Sequence, residues 1–107
     1  MALKKVTAII RCSSLEEVEE ALQNIHVPGL SITHVVGFGE YANLVRHDWT
    51  SRHARIEMFV DESRVELIVR VIRNVAHSGG AGDGIVAVLP VEHLYRIRDG
   101  AEPAARE

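Results

Sequence analysis

Apolar residues follow two different periods along the chain, and these periods predict short strands alternating with two helices. Apolar, β-prone runs predict strands over residues 5–10, 30–38, 55–60 and 85–89, with a short fifth over 94–97. Between the strands, apolar residues recur at helical spacing over residues 15–25 and 65–76, and most charged residues lie off that stripe. The predicted element order is therefore β-α-β-β-α-β.

Residues with capping chemistry predict where the two helices begin and end. The serine pair at 13–14 is expected to cap the first helix, which should end near residues 27–29. Asp61 and Ser63 are expected to cap the second helix, which should end at residues 77–79.

Two helices on one face of an antiparallel sheet form an α+β domain of the ferredoxin-like type. We expect a single domain over residues 1–100 and a flexible C-terminal tail over residues 101–107. The other face of the sheet has no helix left to cover it. Its apolar residues should therefore pack against another copy of the chain, which predicts a homo-oligomer.

Composition excludes several classes of function. The chain has 107 residues and a formal net charge of −3, which argues against a nucleic-acid partner. Cys12 is the only cysteine, so an internal disulfide is impossible and a reducing compartment is expected. No apolar stretch approaches the roughly 20 residues that cross a bilayer. We expect a cytoplasmic protein that is not embedded in a membrane.

A glycine-dense loop leads from the second predicted helix into the fourth predicted strand. Glycine permits left-handed backbone and a close approach of the main chain to a ligand, and successive N–H groups can bind an anion. Arg96 and Arg98 then follow at alternate positions of a segment predicted to be extended, where both can face one phosphate. The alternatives are a simple helix stop for the loop and solvated surface charges for the arginines.

No residue pattern supports catalysis or metal binding. The sequence offers no nucleophile beside a base, so no catalytic residue is assigned. The six histidines show no short ligand spacing, so no metal ligand is assigned and no cofactor is expected to be required.

Several motifs, taken in order, resemble the PII signal-transduction family over residues 4–100. The motifs are Ala8-Ile9-Ile10-Arg11, Val36-Gly37-Phe38-Gly39, Arg55-Ile56-Glu57, Ala76-His77-Ser78-Gly79, Gly82-Asp83-Gly84, Leu89-Pro90-Val91 and Arg96-Ile97-Arg98-Asp99-Gly100. The resemblance implies a ferredoxin-like homotrimer that binds adenine nucleotides in clefts between subunits. It implies that the glycine loop, the B-loop, wraps phosphates and that the paired arginines reach in from the neighbouring subunit.

The resemblance also implies which residues bind the nucleotide. They are Ser31, Gly37, Phe38, Gly39, Met58, Phe59, Ser78, Gly79, Gly82, Asp83, Gly84, Arg96 and Arg98. Asp83 is assigned a positioning role, because an acid beside a phosphate would otherwise repel it. The side chains of Met58 and Phe59 are expected to be partly in the core.

Departures from the family pattern change the expected ligands. Glu40-Tyr41 stands where members that sense 2-oxoglutarate carry Arg-Gln, so that sensing is not expected. Ile85 replaces a lysine that would supply a point charge to phosphate, which favours ADP or AMP and leaves ATP as an alternative. His53 stands in place of another lysine. The T-loop, residues 40–52, is shorter than usual.

The T-loop region is expected to close over the nucleotide and a second small anion, for which bicarbonate is a candidate. The residues assigned to this effector loop are Glu40, Tyr41, Arg46, His47, Arg52 and His53. The alternative is a solvated loop without a ligand.

The sequence as a whole predicts a regulatory sensor and not an enzyme. Its T-loop would signal to an unknown protein target, such as a transporter or a carboxysome-associated protein. The alternative is a trimeric metal-tolerance module of the CutA type, which has the same architecture. A small enzyme on this fold ranks last.

Overall fold

The computed structural model describes residues 2–36 and 52–103. Its elements are β1 (Leu3–Arg11), α1 (Cys12–Asn24), β2 (Ser31–Val35), β3 (His53–Asp61), α2 (Val65–Ala76) and β4 (Gly84–Pro90). Short 3-10 turns at Glu62–Arg64 and Ala81–Asp83 precede α2 and β4. The predicted order of these strands and helices is confirmed.

The four strands form one antiparallel sheet in the order β2-β3-β1-β4. The central strand β1 pairs with β3 from Leu3 opposite Asp61 to Arg11 opposite His53. This is the ferredoxin-like arrangement, so the predicted fold class is confirmed.

Both helices pack on one face of the sheet and enclose the core. Alternate residues of the two central strands point toward the helices, because successive side chains of a strand face opposite sides. The largest fully buried apolar side chains are Val6, Ile10, Val18, Leu22, Ile56, Met58, Ile68 and Ile72. Each contributes roughly 1.5–3 kcal/mol by leaving water.

The start of α1 differs from the prediction. The helix begins at Cys12, directly after β1, and its N-cap Arg11 makes no side-chain capping bond. The serine pair at 13–14 therefore lies inside the first turn, and the capping assignment was wrong. The backbone N–H of Cys12 instead donates to the carbonyl of Arg52 at 3.0 Å. A tertiary contact has replaced the local cap.

The end of α1 also lies earlier than predicted. His26 adopts left-handed backbone with φ 65°, and the N–H of Val27 bonds back to the carbonyl of Leu22 at 3.0 Å. This is a Schellman-type stop in which histidine takes the usual place of glycine. The guanidinium of Arg64 also donates to the carbonyls of Ile25 and His26.

At the second helix, Asp61 acts as a cap and Ser63 does not. The Asp61 carboxylate accepts the N–H of Ser63 at 2.9 Å and also its hydroxyl proton. These bonds hold the pKa of Asp61 below its ordinary value. They cap the 3-10 turn that precedes α2, and the N-cap of α2 itself is Arg64, without a side-chain bond.

The face of the sheet away from the helices, which we call the outer face, mixes a central ion pair with exposed apolar residues. Lys5 bonds to Glu57 at 3.0 Å across β1 and β3. On the two sides of Lys5 in the register lie Phe59, which is 50% exposed, and Leu89, which is 42% exposed. An apolar surface of this kind commonly contacts another protein.

The predicted fifth strand is wrong. Residues 91–103 form an irregular arm after β4, with a turn over residues 97–99. The turn closes on itself, because Gly100 N–H bonds to the Arg96 carbonyl at 2.7 Å and Arg96 N–H bonds to the Ala101 carbonyl at 2.9 Å. Local turn bonds have therefore replaced pairing with a strand.

The predicted tail over residues 101–107 lies partly outside the described residues. In its described part, Ala101 N–H donates to the Asp99 carboxylate at 2.9 Å. Glu102 accepts the N–H of Leu94 at 3.3 Å and lies 3.1 Å from the ring of His93. The tail thus stays attached to the arm as far as Glu102. Among the described residues, no helix is both long and apolar enough to span a membrane.

Candidate functional site

The B-loop is shaped by two glycines in left-handed backbone. Gly79 has φ 95° and Gly84 has φ 107°. A Cβ atom on Gly84 would overlap the carbonyl of Ile9, so the loop enters β4 by lying directly on β1. Only glycine allows both the positive φ and this close approach.

The Asp83 carboxylate accepts several hydrogen bonds from residues of the B-loop. One oxygen accepts the backbone N–H groups of Ser78 and Gly79, each at 2.8 Å. The other oxygen accepts the Ser78 hydroxyl. A carboxylate with this many donors favours its charged form, so the pKa of Asp83 lies well below its ordinary value of 3.8, chiefly because of the bonds from Ser78. Asp83 thus fixes the shape of the loop by taking up the amides of Ser78 and Gly79 itself.

Arg11 joins the B-loop to the end of β1. Its guanidinium forms an ion pair with Asp83 and donates to the Ser78 hydroxyl at 3.0 Å. A Cβ atom on Gly82 would lie only 2.8 Å from this guanidinium, so glycine leaves room for it. The positive charge of Arg11 offsets the negative charge of Asp83. This removes the repulsion that an isolated acid would exert on a phosphate.

Sequence reasoning gave Arg11 no role. It stands in one of the family motifs, but its position in the sequence is only the polar end of a predicted strand. The role comes from the register, which brings the end of β1 beside the loop that precedes β4.

His53 belongs to the B-loop environment and not to an exposed loop. It is the first residue of β3 and only 4% exposed. Its Nε2 lies 3.0 Å from the carbonyl oxygen of Gly82. His53, which was assigned to the effector loop, thus lies at the start of β3, and its role in binding an effector stays a prediction. Arg52 is exposed, and its carbonyl accepts the N–H of Cys12.

Arg96 and Arg98 were predicted to lie on an extended segment. That prediction is wrong, because the arm turns at residues 97–99. Arg96 precedes the turn and forms two bonds to the Asp99 carboxylate, at 3.0 and 3.3 Å. The bond from the Ala101 N–H, together with those from Arg96, holds the pKa of Asp99 below its ordinary value. Arg98 lies inside the turn and forms no ion pair within the described ranges. Ile97 between them is fully exposed, at 103%.

The B-loop and the arm lie at opposite ends of the sheet. β4 starts at Gly84, opposite Ile10, and ends at Pro90, opposite Lys4. At about 3.3 Å per residue, the strand separates the two by roughly 20 Å. The arm of one subunit therefore starts at the end of the sheet opposite its own B-loop.

The other predicted ligand residues that the structure describes lie away from the B-loop. Ser31 is exposed at the start of β2 opposite Glu57. Met58 is a core residue at 2% exposure, as expected, whereas Phe59 lies on the outer face and outside the core. At the arm end, a cavity of about 490 Å³ is lined by Gly29, Phe59 and Leu94, among others. Asp61 and Arg64 also line this cavity, so its wall is mixed, with one face formed by the ring of Phe59.

Seven predicted site residues lie outside the described residues. They are Gly37, Phe38, Gly39, Glu40, Tyr41, Arg46 and His47. Their assignments stay predictions.

A family model, curated relatives and a solved structure all point to the same family. The family description "Nitrogen regulatory protein P-II" matches residues 3–101. The chain belongs to the P-II family. A relative of that name from Azospirillum brasilense is 37% identical, and the match covers 92% of this chain and 94% of the relative. Another from Cereibacter sphaeroides is 38% identical with the same coverage.

A solved structure supports the assignment. The crystal structure of Arabidopsis thaliana PII bound to citrate superposes with a TM-score of 0.80 and 29% identity, covering 95% of this chain and 86% of that one. PII proteins are regulatory signal transducers that act as trimers on target proteins. The family match therefore replaces the alternative of a CutA-type metal module. In residues 2–36 and 52–103, no three His, Cys, Asp or Glu side chains cluster as metal ligands.

Proposed function

We propose that this PII protein is a homotrimeric sensor that binds an adenine nucleotide in each cleft between neighbouring subunits. The observation that carries the proposal is the B-loop, whose backbone is fixed by Asp83 and whose acid is neutralised by Arg11. A rigid glycine loop without net repulsion suits the phosphates of a nucleotide.

The separation of the two halves of the site calls for a neighbouring subunit, and the P-II family forms trimers. Because the B-loop and the arm lie at opposite ends of one sheet, a neighbouring subunit supplies Arg96 and Arg98 to each cleft. The same neighbour would offer the cavity beside Phe59 to the adenine ring. The exposed Leu89 and Ile97 then become buried between subunits.

The nucleotide we expect is ADP or AMP, with ATP bound more weakly. Ile85 follows Gly84 directly and carries no charge at the position where a lysine would reach a further phosphate. The second ligand is a small anion such as bicarbonate, and 2-oxoglutarate is not expected to bind.

The output of the sensor is the segment between β2 and β3. Its last residue, Arg52, bonds to the start of α1, and the next residue, His53, bonds to the B-loop. A single hydrogen bond, from His53 to Gly82, therefore links the B-loop to the end of this segment. The proposed target is a protein such as a transporter or a carboxysome-associated protein.

Subunit mixing tests the inter-subunit site. Asp83→Ala removes the centre of the B-loop and Arg98→Ala removes one charge of the arm, so each homotrimer should lose most ADP binding. When the two variants are unfolded together and refolded at equal amounts, about one quarter of the clefts should receive an intact loop and an intact arm. Recovery of about a quarter of the wild-type number of ADP sites, each with wild-type affinity, supports the proposal. No recovery in trimers shown to be mixed by mass spectrometry contradicts it.

A further inference from the structure

One oxygen of the Asp61 carboxylate is buried without a hydrogen-bond partner among the described residues. Asp61 is the last residue of β3 and is only 1% exposed. Its Oδ2 accepts the N–H and the hydroxyl of Ser63, whereas its Oδ1 has no partner. The cap of the 3-10 turn therefore uses only half of the carboxylate. Buried polar atoms without partners are rare in folded proteins, so this oxygen marks a place where a further donor binds.

Asp61 lines the cavity of about 490 Å³ at the arm end of the sheet. Its Oδ1 is shielded from bulk water, so a donor that reaches this oxygen has to belong to a group seated in the cavity. Phe59 lies two residues earlier on β3, so both side chains project from the outer face. Its ring is half exposed and lines the same cavity. The cavity thus offers an aromatic ring beside a single hydrogen-bond acceptor.

The charges on the cavity wall favour a neutral donor over a cation. The bonds from Ser63 hold the pKa of Asp61 below its ordinary value, so the carboxylate is ionised at neutral pH. Arg64 lines the same cavity and carries the opposite charge, with its guanidinium bonded to the carbonyls of Ile25 and His26. The residues that line the cavity therefore carry one negative and one positive charge. A neutral ring with an N–H donor suits such a wall better than an ammonium group does.

We propose that Asp61 is the residue that distinguishes adenine from a purine with a carbonyl group at position 6. The inference rests on the proposed function, in which this cavity receives the adenine ring. The amino group at position 6 of adenine donates to Oδ1 of Asp61, while the ring lies against Phe59. Hypoxanthine carries a carbonyl oxygen at that position, which would face the carboxylate without a hydrogen between them. Asp61 thus sets base specificity, whereas the B-loop binds phosphates that both nucleotides share.

The relative affinity for ADP and IDP, which share their sugar and phosphates, provides the first test. In calorimetry, wild-type protein should bind ADP at least about tenfold more tightly, as expected for one bond to a charged group. Asp61→Asn should remove or reverse this preference. Asparagine caps equally well, so its oxygen stays on the Ser63 N–H and its NH₂ group, a donor, faces the cavity. Glu62→Gln makes the same change of charge at the next, exposed residue and should keep the wild-type preference. A purely structural role of Asp61 would weaken both nucleotides equally and leave their ratio unchanged.

The carboxyl carbon resonance of Asp61 in the wild-type protein provides the second test, which needs no variant. We expect saturating ADP to shift this resonance more than saturating IDP does. Equal shifts, equal affinities for ADP and IDP, or a preference that survives Asp61→Asn would overturn the inference while the proposed function stands. If neither ADP nor IDP binds, the proposed function fails, and the inference that rests on it fails with it.

Discussion

Arg11 and Asp83 are 72 residues apart in the chain and form an ion pair that ties the end of β1 to the B-loop. The pair has two consequences. It fixes the acid that gathers the loop amides, and it cancels the charge that would repel a phosphate. The pair thus joins the end of β1 to the loop that precedes β4.

Arg11→Ala should weaken ADP binding by roughly 3- to 10-fold, since the loop loses a charge-assisted bond at a partly exposed position. Calorimetry measures the affinity, and amide exchange at Ser78 and Gly79 should become faster. Arg70→Ala, on the exposed face of α2, is the matched control and should change neither. Unaltered binding and exchange in Arg11→Ala would remove the proposed role of the pair.

Gly84→Ala should destabilise the fold by at least about 2–3 kcal/mol, because left-handed backbone and contact with the Ile9 carbonyl both exclude a side chain. The urea midpoint reports the change. Gly29→Ala is the control: a Cβ there meets nothing within 4 Å, so its effect should stay within about 0.5 kcal/mol. Equal stability of the two variants would contradict the described loop geometry.

The Asp83 carboxyl should titrate well below 3.8, as its bonded partners require. A depressed pKa in the folded state stabilises the loop above the unfolded pKa, and this contribution is lost only as the pH falls through the folded pKa. The carboxyl carbon shift of Asp83, followed by NMR on acidification, measures the midpoint. A midpoint at or above 3.8 would show that the carboxylate is not bonded as described.

Leu89→Asp should separate the trimer, because it places a charge on the outer face where we expect a neighbouring subunit. Sedimentation velocity should show a rise of at least about tenfold in the dissociation constant. Gln23→Asp introduces the same residue at an exposed position of α1 and should leave the trimer intact. An unchanged trimer in Leu89→Asp would place the interface elsewhere.

Arg98→Ala should lower ADP affinity at least about tenfold through the lost charge-assisted bonds. Arg70→Ala again serves as the control in calorimetry. Full affinity in Arg98→Ala would remove the arm from the site.

The order of the elements could be predicted from the sequence because the apolar period reports directly which face is buried. The helix ends could not, since the Cys12 N–H is satisfied by Arg52 and not by a nearby serine. The left-handed stop at His26 was equally hidden, because a glycine lay three residues away at Gly29.

The candidate site was predictable in its local part alone. The glycines at 79 and 84 and the role of Asp83 follow from loop chemistry. Arg11 and His53 enter through strand register, which no local pattern reveals. The turn around Arg98 was missed because alternating polar and apolar residues look extended, although hydrogen bonds within the arm fold them back.

Calorimetric titration of the wild-type protein with AMP, ADP and ATP tests the central claim most directly. We predict saturable binding of ADP or AMP with one nucleotide per subunit, and weaker binding of ATP. If none of the three binds, in bicarbonate or without it, the B-loop has the shape of a phosphate site without its function, and the sensor proposal is wrong.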